Sequence, residues 1–334
     1  MAGRKTRTKI RAGVVGTGYL GRFHAEKYAE LEGVELVGVA DLDLEKAREV
    51  AAKVSTEPFP SHKDLLDRVD AVSVVTPTET HHEIGMDFLS KGVDVLIEKP
   101  IAVTAEEAGA LIEEAEKRGA VLQVGHLERF NSAVVALEGK LTAPMFIEAH
   151  RLSTFTTRAL DVDVVLDLMI HDIDIILNLV DADVEAVEAV GIPVISDKVD
   201  IANARLKFTN GCVANVTASR VSNERLRRTR LFQPDAYIAI DYAAQHISIS
   251  RRMKGEEGGP PAIVREELDI ERKDSLMEEI KSFIECSAGK KAPLVSGRDG
   301  RRALEVAHRI QESVDSSMAV FRGYMKKASD VAGQ

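Results

Sequence analysis

The sequence predicts an α/β protein in which a doubly wound parallel sheet is followed by an α+β domain with an open, mostly antiparallel sheet. Three observations predict it. The first 125 residues alternate short apolar runs with helical periodicity. Beyond about His126 there is one long helical pattern, then a series of β-like runs with no helix between them. The first apolar run ends in Gly16-Thr17-Gly18-Tyr19-Leu20-Gly21, glycines that open a helix. At 334 residues the chain exceeds the size at which one core stops growing, so the reading divides it into domains over 1–126 and 127–334.

Each element has its own justification. Ile10 to Val15 is a buried strand, and Leu20, Phe23, Tyr28 and Leu31 mark the apolar face of the helix that Gly33 closes. Val34 to Ala40 is the next strand. Leu44, Ala47, Val50, Ala51 and Val54 follow on a helix that Asp43 caps. Ser61 and Asp64 suit the start of a short helix, and Ala71 to Val75 is a strand. Ile84, Phe88 and Leu89 mark a helix ending at Gly92, before the strand Val93 to Ile97. Thr104 and Glu107 form a capping box for a helix carrying Ala108, Leu111, Ile112 and Ala115, and Ala120 to Val124 is a further strand. In the second part a helix covers Val162 to Val180. Strands follow at Val184 to Val190, Ile201 to Phe208, Cys212 to Ala218, Leu226 to Phe232, Tyr237 to Asp241 and His246 to Ser250. Asn210-Gly211 is a hairpin signal between two of them. Met253 to Pro261, rich in glycine, proline and charge, reads as a mobile loop, and helices over Ser275 to Ala288 and Asp299 to Met325 complete the pattern.

Composition narrows the function. The 54 acidic residues exceed the 44 basic ones, a net charge of −10, which argues against nucleic acid or an anionic membrane as a general partner. No run of about 18 apolar residues is present to span a membrane. The basic segment Met1 to Lys9 lacks the apolar stretch of a secretory signal. Cys212 and Cys286 are too few for a disulfide framework, and both lack the basic neighbour of a reactive thiolate. A reducing, cytoplasmic location is expected.

Four groups of residues can carry chemistry. In the first, Gly16 permits a tight turn, Gly18 lets backbone approach a pyrophosphate, Gly21 lets helix and strand pack closely, and the N–H groups around Tyr19 and Leu20 face the phosphates. Asp41, twenty residues after Gly21, suits the ribose hydroxyls of NAD and repels the 2′-phosphate of NADP, so NAD is expected. In the second, the helix near 170 is apolar around most of its circumference, yet Asp163, Asp167, His171, Asp174 and Asn178 fall within about an 80° arc at 100° per residue. A histidine flanked by carboxylates one turn away is an oriented acid–base group. A solvated stripe is the other reading, and Asp172 on the opposite side favours it. In the third, Glu98-Lys99-Pro100 and Thr76-Pro77-Thr78 with His81 end two strands, on the side of an open parallel sheet where ligands sit. Ordinary turns that bind nothing remain the alternative. No metal site is expected, because His81, His82 and Glu83 lack ligand spacing. In the fourth, Arg220, Arg225, Arg227, Arg228 and Arg230, with Arg151 and Arg158, are either a solvated strand or subunit contact, or a grip for phosphate or carboxylate.

With these residues in hand, the chain resembles the Gfo/Idh/MocA oxidoreductases over nearly its whole length. The resemblance rests on the Gly16 to Gly21 turn, Asp41, Thr76-Pro77 with His81, Glu98-Lys99-Pro100, Gly125 with Arg129-Phe130-Asn131, and Asp167 with His171 and Asp174. It implies an NAD-dependent enzyme that moves hydride between nicotinamide and a secondary hydroxyl or ketone of a sugar or sugar derivative. It implies Lys99, His171 and Asp167 as catalytic residues. Gly16, Gly18, Tyr19, Leu20, Gly21, Asp41, Thr76, Pro77, His81, Glu98 and Lys99 would bind cofactor. Lys99, Arg158, Asp167, His171 and Asp174 would meet substrate. Met169 stands where the family often has glycine, so its side chain is expected to narrow the pocket or shift the helix. The segment Asp167 to Asp174 looks most like that of proteins of bacterial nucleotide-sugar metabolism, which implies a substrate such as UDP-N-acetylglucosamine, oxidised at C3. A non-catalytic NAD sensor, or an enzyme that recycles a tightly held cofactor, is the competing reading. The broad second sheet is expected to mediate a homodimer or homotetramer.

Overall fold

The computed structural model describes residues 9–155, 162–253 and 262–332, with side chains described through residue 322. The chain forms two compact units, residues 1–130 with 273–302 and residues 131–272 with 303–334.

The first unit is built on β1 (Ile10–Val15), α1 (Tyr19–Glu30), β2 (Val34–Ala40), α2 (Leu44–Val54), β3 (Glu57–Phe59), β4 (Ala71–Val74), α3 (His81–Ser90), β5 (Asp94–Glu98), α4 (Ala105–Arg118) and β6 (Leu122–Gly125). The six strands are all parallel and run in the order β3-β2-β1-β4-β5-β6, the doubly wound dinucleotide-binding order. Local signals in the sequence account for the helix starts. Asp43 accepts from the Lys46 N–H at the start of α2, and Thr104 with Glu107 makes a reciprocal capping box on α4. The buried face of α1 differs from the expected one. It consists of Gly21, His24, Ala25 and Tyr28, while Leu20 is exposed and Phe23 is half-buried. Spacing of three, four and seven residues from Gly21 generates that face, and it carries a histidine into the core.

The second unit contains the short helix α5 (Ser132–Val135), β7 (Phe146–Leu152), a π-helical turn at Val165–Met169 continuing into α6 (Ile170–Leu179), and then β8 (Val184–Ile192), β9 (Ile201–Phe208), β10 (Val213–Ser219), β11 (Leu226–Gln233), β12 (Ala236–Asp241), β13 (His246–Met253) and β14 (Ala262–Glu267). They make an eight-stranded sheet in the order β14-β13-β12-β11-β7-β10-β9-β8, antiparallel except for the β7–β10 pair. The hairpin at Asn210-Gly211 joins β9 to β10, with Gly211 at φ +85°. One face of the sheet packs Ile147, Ala149, Ala204, Leu206, Val216, Leu231, Ile238 and Ile249 against Met169, Ile170, Ile173 and Ile176. Two strands of this sheet, like β3 of the first, were not expected. Polar Glu148, His150 and Arg151 break the apolar run of β7, and β14 is exposed along its whole length. The segment 254–261, read as a loop, lies outside the described residues.

Two helices complete the chain, α7 (Ser275–Ser287) and α8 (Gly297–Ala332). A division at 126 assigns both to the second domain, whereas the contacts return residues 273–302 to the first unit. The physical reason is apolar burial: Ile280 and Phe283 of α7 are fully buried in the cluster of Ala12, Val14, Ala25, Tyr28 and Leu96. Each such side chain contributes about 1.5–3 kcal/mol.

Candidate active site

In the first unit the glycine turn fits a dinucleotide. Gly16 has φ +91°, and a Cβ there would lie 2.3 Å from the Val75 carbonyl oxygen. A Cβ on Gly21 would lie 1.8 Å from the Gly16 carbonyl oxygen, so α1 closes on the turn only because residue 21 has no side chain. Among the described residues beyond its chain neighbours, a Cβ on Gly18 would meet no atom within 4 Å, which leaves that backbone open to a ligand. Gly18 is also the N-cap of α1; no side chain caps the helix and no acid occupies its first turn. The N–H groups near Tyr19 and Leu20 thus present an uncapped positive dipole end, suited to a pyrophosphate.

Asp41 follows β2 and is half-buried. Its Oδ2 accepts from the Thr17 backbone N–H at 2.7 Å and the Thr17 hydroxyl at 2.9 Å, and its Oδ1 accepts from the Asp43 N–H at 2.9 Å. Oδ2 already accepts two hydrogen bonds, but Oδ1 retains a further lone pair, so Asp41 can hold the glycine turn and still receive a ribose hydroxyl. The bracing by Thr17 was not legible in the sequence.

At the ends of β4 and β5, the Thr80 hydroxyl lies 2.7 Å from Thr76 Oγ1 and 2.8 Å from the Pro77 carbonyl oxygen, so its one proton is shared between them. His81 is turned inward. It is 1% exposed, with Nδ1 2.8 Å from the Pro100 carbonyl oxygen and Nε2 2.8 Å from the Thr76 carbonyl oxygen. Burial lowers its pKa, and the two carbonyls work against that shift. The expected cofactor contact is therefore replaced by a staple between the turns at Thr76 and Pro100. Glu98 is likewise turned inward: its Oε2 accepts from the Lys99 N–H at 3.2 Å, and its Oε1 lies 3.3 Å from His24 Nε2. Lys99 is half-buried and precedes a cis bond to Pro100. Gly125 is required beside Glu98, because a Cβ there would lie 2.8 Å from Glu98 Oε1. Arg129 and Phe130 are buried, and Arg129 donates to the Leu294 carbonyl at 3.3 Å.

In the second unit the polar stripe is resolved into separate tasks. Asp163 Oδ1 accepts from the N–H groups of Val165 and Leu166, and its Oδ2 accepts from Gln311. It caps the π-helical turn. Asp167 and His171, half-buried, lie on that turn and the first turn of α6; Asp174 is 2% exposed and Asn178 is exposed. A π-helical turn between Asp167 and His171 resets the angular offset that a uniform helix predicts, and such turns concentrate at functional sites. Met169 is fully buried in the apolar cluster, so its side chain fills core and does not enter a pocket. Asp172 also corrects the sequence reading. Far from being solvated, it is 1% exposed and forms a bidentate pair with Arg151, at 2.8 and 3.0 Å. Removing one partner of such a pair leaves a buried charge uncompensated, at a cost of about 3–5 kcal/mol.

The arginines divide in the same way. Arg151 and Arg220 are buried and structurally engaged. Arg220 donates to Asp200 at 2.8 Å and to the Val162 carbonyl at 2.7 Å. Burial alone would raise the Asp200 pKa, but the N–H groups of Ser196 and Ile195, the Ser196 hydroxyl and Arg220 hold it far below the usual carboxylate range. Arg228 pairs with Asp241 at 3.5 Å, Arg230 with Glu148 at 2.8 Å, and Arg225 reaches the Thr154 hydroxyl at 3.5 Å. Arg227 is exposed. Arg158 lies outside the described residues.

Comparison with known proteins agrees with this geometry. The model of the oxidoreductase family with an NAD-binding Rossmann fold matches residues 10–126, and the model of the GFO/IDH/MocA C-terminal domain matches residues 132–237. The UDP-N-acetylglucosamine 3-dehydrogenase of Acidithiobacillus ferrooxidans is 42% identical over 92% of this chain and 98% of its own. Its solved structure superposes with a TM-score of 0.88 at 41% identity, covering 93% of this chain and 99% of that one. The myo-inositol 2-dehydrogenase of Thermotoga maritima is 26% identical over 93% of this chain and 98% of its own. Among the described residues no helix is long and apolar enough to cross a membrane. This chain belongs to the Gfo/Idh/MocA family of NAD-binding oxidoreductases and is a dehydrogenase acting on CH–OH groups.

Proposed function

We propose that the protein oxidises a secondary hydroxyl of a nucleotide sugar, UDP-N-acetylglucosamine at C3 or a close analogue, with NAD as acceptor. The observation that carries the substrate is the 42% identity to a UDP-N-acetylglucosamine 3-dehydrogenase across nearly the full length of both chains. NAD, when bound, supplies the hydride acceptor. His171 takes the hydroxyl proton as general base, an imidazole being suited to that task near neutral pH. Lys99 polarises the substrate oxygen. Asp167 orients His171 or the substrate hydroxyl, and buried Asp174 supports them from within α6. The N–H groups at Gly18, Tyr19 and Leu20 receive the pyrophosphate, and Thr76 and Pro77 shape the turn beside it. Exposed Arg225 and Arg227, together with Arg158, suit the substrate diphosphate.

The test is purified protein with NAD and a panel of UDP-N-acetylglucosamine, UDP-N-acetylgalactosamine, free N-acetylglucosamine and myo-inositol, read by the absorbance of reduced nicotinamide. Turnover confined to UDP sugars supports the proposal. Turnover of inositol with no response to UDP sugars overturns it.

NAD is the preferred dinucleotide in this reading because Asp41 stands after β2. Asp41→Ala is expected to weaken NAD by about tenfold to a hundredfold, the value of hydrogen bonds to a charged acceptor, and to weaken NADP less. Equal losses in paired fluorescence titrations would contradict the ribose contact. Thr17→Val separates bracing of the turn from ribose binding, because it alters both affinities alike.

The outer face of the eight-stranded sheet supports self-association. It carries the half-buried rings of Phe146, Phe232 and Tyr237, at centroid separations of 5.6 and 5.0 Å, and exposed Val190 and Ile192. A solution mass of one chain would count against it.

A further inference from the structure

The first unit contains a buried polar cluster that the proposed chemistry does not use. His24 of α1, Glu98 at the end of β5 and Glu279 of α7 offer ligand atoms that all lie within 4.8 Å of one another. His24 and Glu279 are 0% exposed and Glu98 is 8% exposed. Glu98 accepts a hydrogen bond from the Lys99 N–H at 3.2 Å, and the His24 ring lies close by, with Nε2 3.3 Å from Glu98 Oε1 at ion-pair distance. His24 is in turn oriented by the Ser73 hydroxyl, 3.1 Å from Nδ1, which itself lies 2.7 Å from the Tyr28 hydroxyl. Glu279 has no such support: among the described residues neither carboxyl oxygen has a hydrogen-bond partner. Its backbone carbonyl accepts from Gln123 Nε2 at 3.3 Å.

Two carboxylates this close in a buried site disfavour each other's ionisation, so one of the pair is held protonated more readily. A shared proton relieves that repulsion, and the surrounding donors favour one carboxyl over the other for it. Glu98 has the Lys99 N–H and the adjacent His24 ring to stabilise a negative charge, whereas among the described residues Glu279 has no hydrogen-bond donor.

We propose that Glu279 is a positioning residue: it remains a neutral carboxylic acid in the folded protein, and its neutrality is what lets Glu98 stay ionised on His24 and on the N–H of Lys99. The link to catalysis rests on the role given to Lys99 above. Glu98 immediately precedes Lys99 and bonds its backbone, so an ionised Glu279 would repel Glu98 and disturb the seat of the lysine. The direction of both titrations agrees with the geometry. Burial, then the charge of Glu98, raise Glu279 well above the usual carboxylate range; burial also opposes ionisation of Glu98, but His24 and Lys99 outweigh it and bring it below.

Further titratable and polar groups lie on the elements that carry the cluster or pack on α7. From α1 come His24, Tyr28 and Lys27, the last paired with Asp274 at 3.0 Å before α7. From β4 comes Ser73, and from β6 comes Gln123. Glu128 and Arg129, both buried, lie on the short helical turn Leu127–Phe130 that packs on α7.

The sign of the pH effect follows. An acid whose folded-state pKa is raised binds more protons folded than unfolded, so stability falls as pH rises from its unfolded value to its folded one. Glu279→Gln keeps a neutral side chain and has no such slope. The experiment compares Tm of the whole protein and its Gln variant from pH 5 to pH 9, the infrared carbonyl band of a buried carboxylic acid at neutral pH, and the pH profiles of NAD affinity and kcat. The expected result is a band present in the native protein and absent in the variant, with a Tm difference that moves in favour of the variant as pH rises. The alkaline decline of kcat is expected at lower pH in the native protein than in the variant. Absence of the band, a constant Tm difference, or one equivalent of tightly bound metal whose chelation lowers Tm would overturn the neutral acid. Superimposable kcat profiles with the band present would overturn the positioning role. A protein showing the band and the stability slope, yet turning over no UDP sugar, overturns the reading of the active site and supports the buried acid.

Discussion

His171→Ala and Lys99→Met are each expected to lower turnover by about two orders of magnitude or more, the usual size of a general acid–base contribution. His171 is the better base of the two, because a neutral imidazole is available near pH 7 and an ordinary lysine is not. Its surroundings also suit the task. It is half-buried, next to a π-helical turn that carries Asp167, and the opposite side of the helix is anchored by the Arg151–Asp172 pair. That anchor restricts rotation of α6 and fixes which side chains face away from the core. Neither variant removes a core side chain or a residue of the glycine turn, so NAD affinity and Tm are expected to change little. Single-turnover kinetics with a UDP sugar, together with NAD titration, check both. Near-normal turnover in both variants removes the assigned roles.

The three glycines of the first turn are expected to behave differently from one another. Gly16→Ala forces a side chain into φ +91° and against the Val75 carbonyl, and Gly21→Ala places a methyl group 1.8 Å from the Gly16 carbonyl oxygen. Strain of this kind costs about 1–3 kcal/mol for the backbone and a similar amount for overpacking, a large share of the 5–15 kcal/mol or so that holds a protein folded. Both variants are expected to lose stability in thermal or urea unfolding, and NAD binding with it. Among the described residues beyond its chain neighbours, the methyl group of Gly18→Ala meets no atom within 4 Å. This variant is expected to unfold like the native protein yet bind NAD at least about tenfold more weakly, a difference of 1.4 kcal/mol, because its methyl group occupies space the pyrophosphate needs. Normal NAD affinity in Gly18→Ala contradicts the placement of the pyrophosphate at that backbone.

Much of the first unit was legible in the sequence because its signals are local. Asp43, Ser61 and the Thr104–Glu107 box cap the elements they were read to cap, and Gly92 and Gly119 sit at positive φ where helices end. What was missed depends on partners distant in sequence. Strand β7 looks too polar until Arg151 meets Asp172, 21 residues later. His81 and Glu98 look like groups aimed at a ligand; only the fold shows that Pro100 and His24 occupy them. The π-helical turn at Val165–Met169 has no residue signature, and it alters the angular offsets that a uniform helix gives the polar stripe. Glu279 reads as an ordinary charge on an amphipathic helix, and its burial is decided by a sheet formed more than 150 residues earlier.

That dependence has a consequence for synthesis on the ribosome. Residues 273–302 belong to the unit that the first 130 residues begin. As the chain emerges, the apolar patch formed by Ala12, Val14, Ala25, Tyr28 and Leu96 stays wet until Ile280 and Phe283 are translated. At roughly 5–20 residues per second the nascent sheet waits for them through the making of the entire intervening unit. Chaperone capture is thus favoured during that interval, and a gene fragment encoding only the dinucleotide-binding half would yield an adhesive, incomplete product.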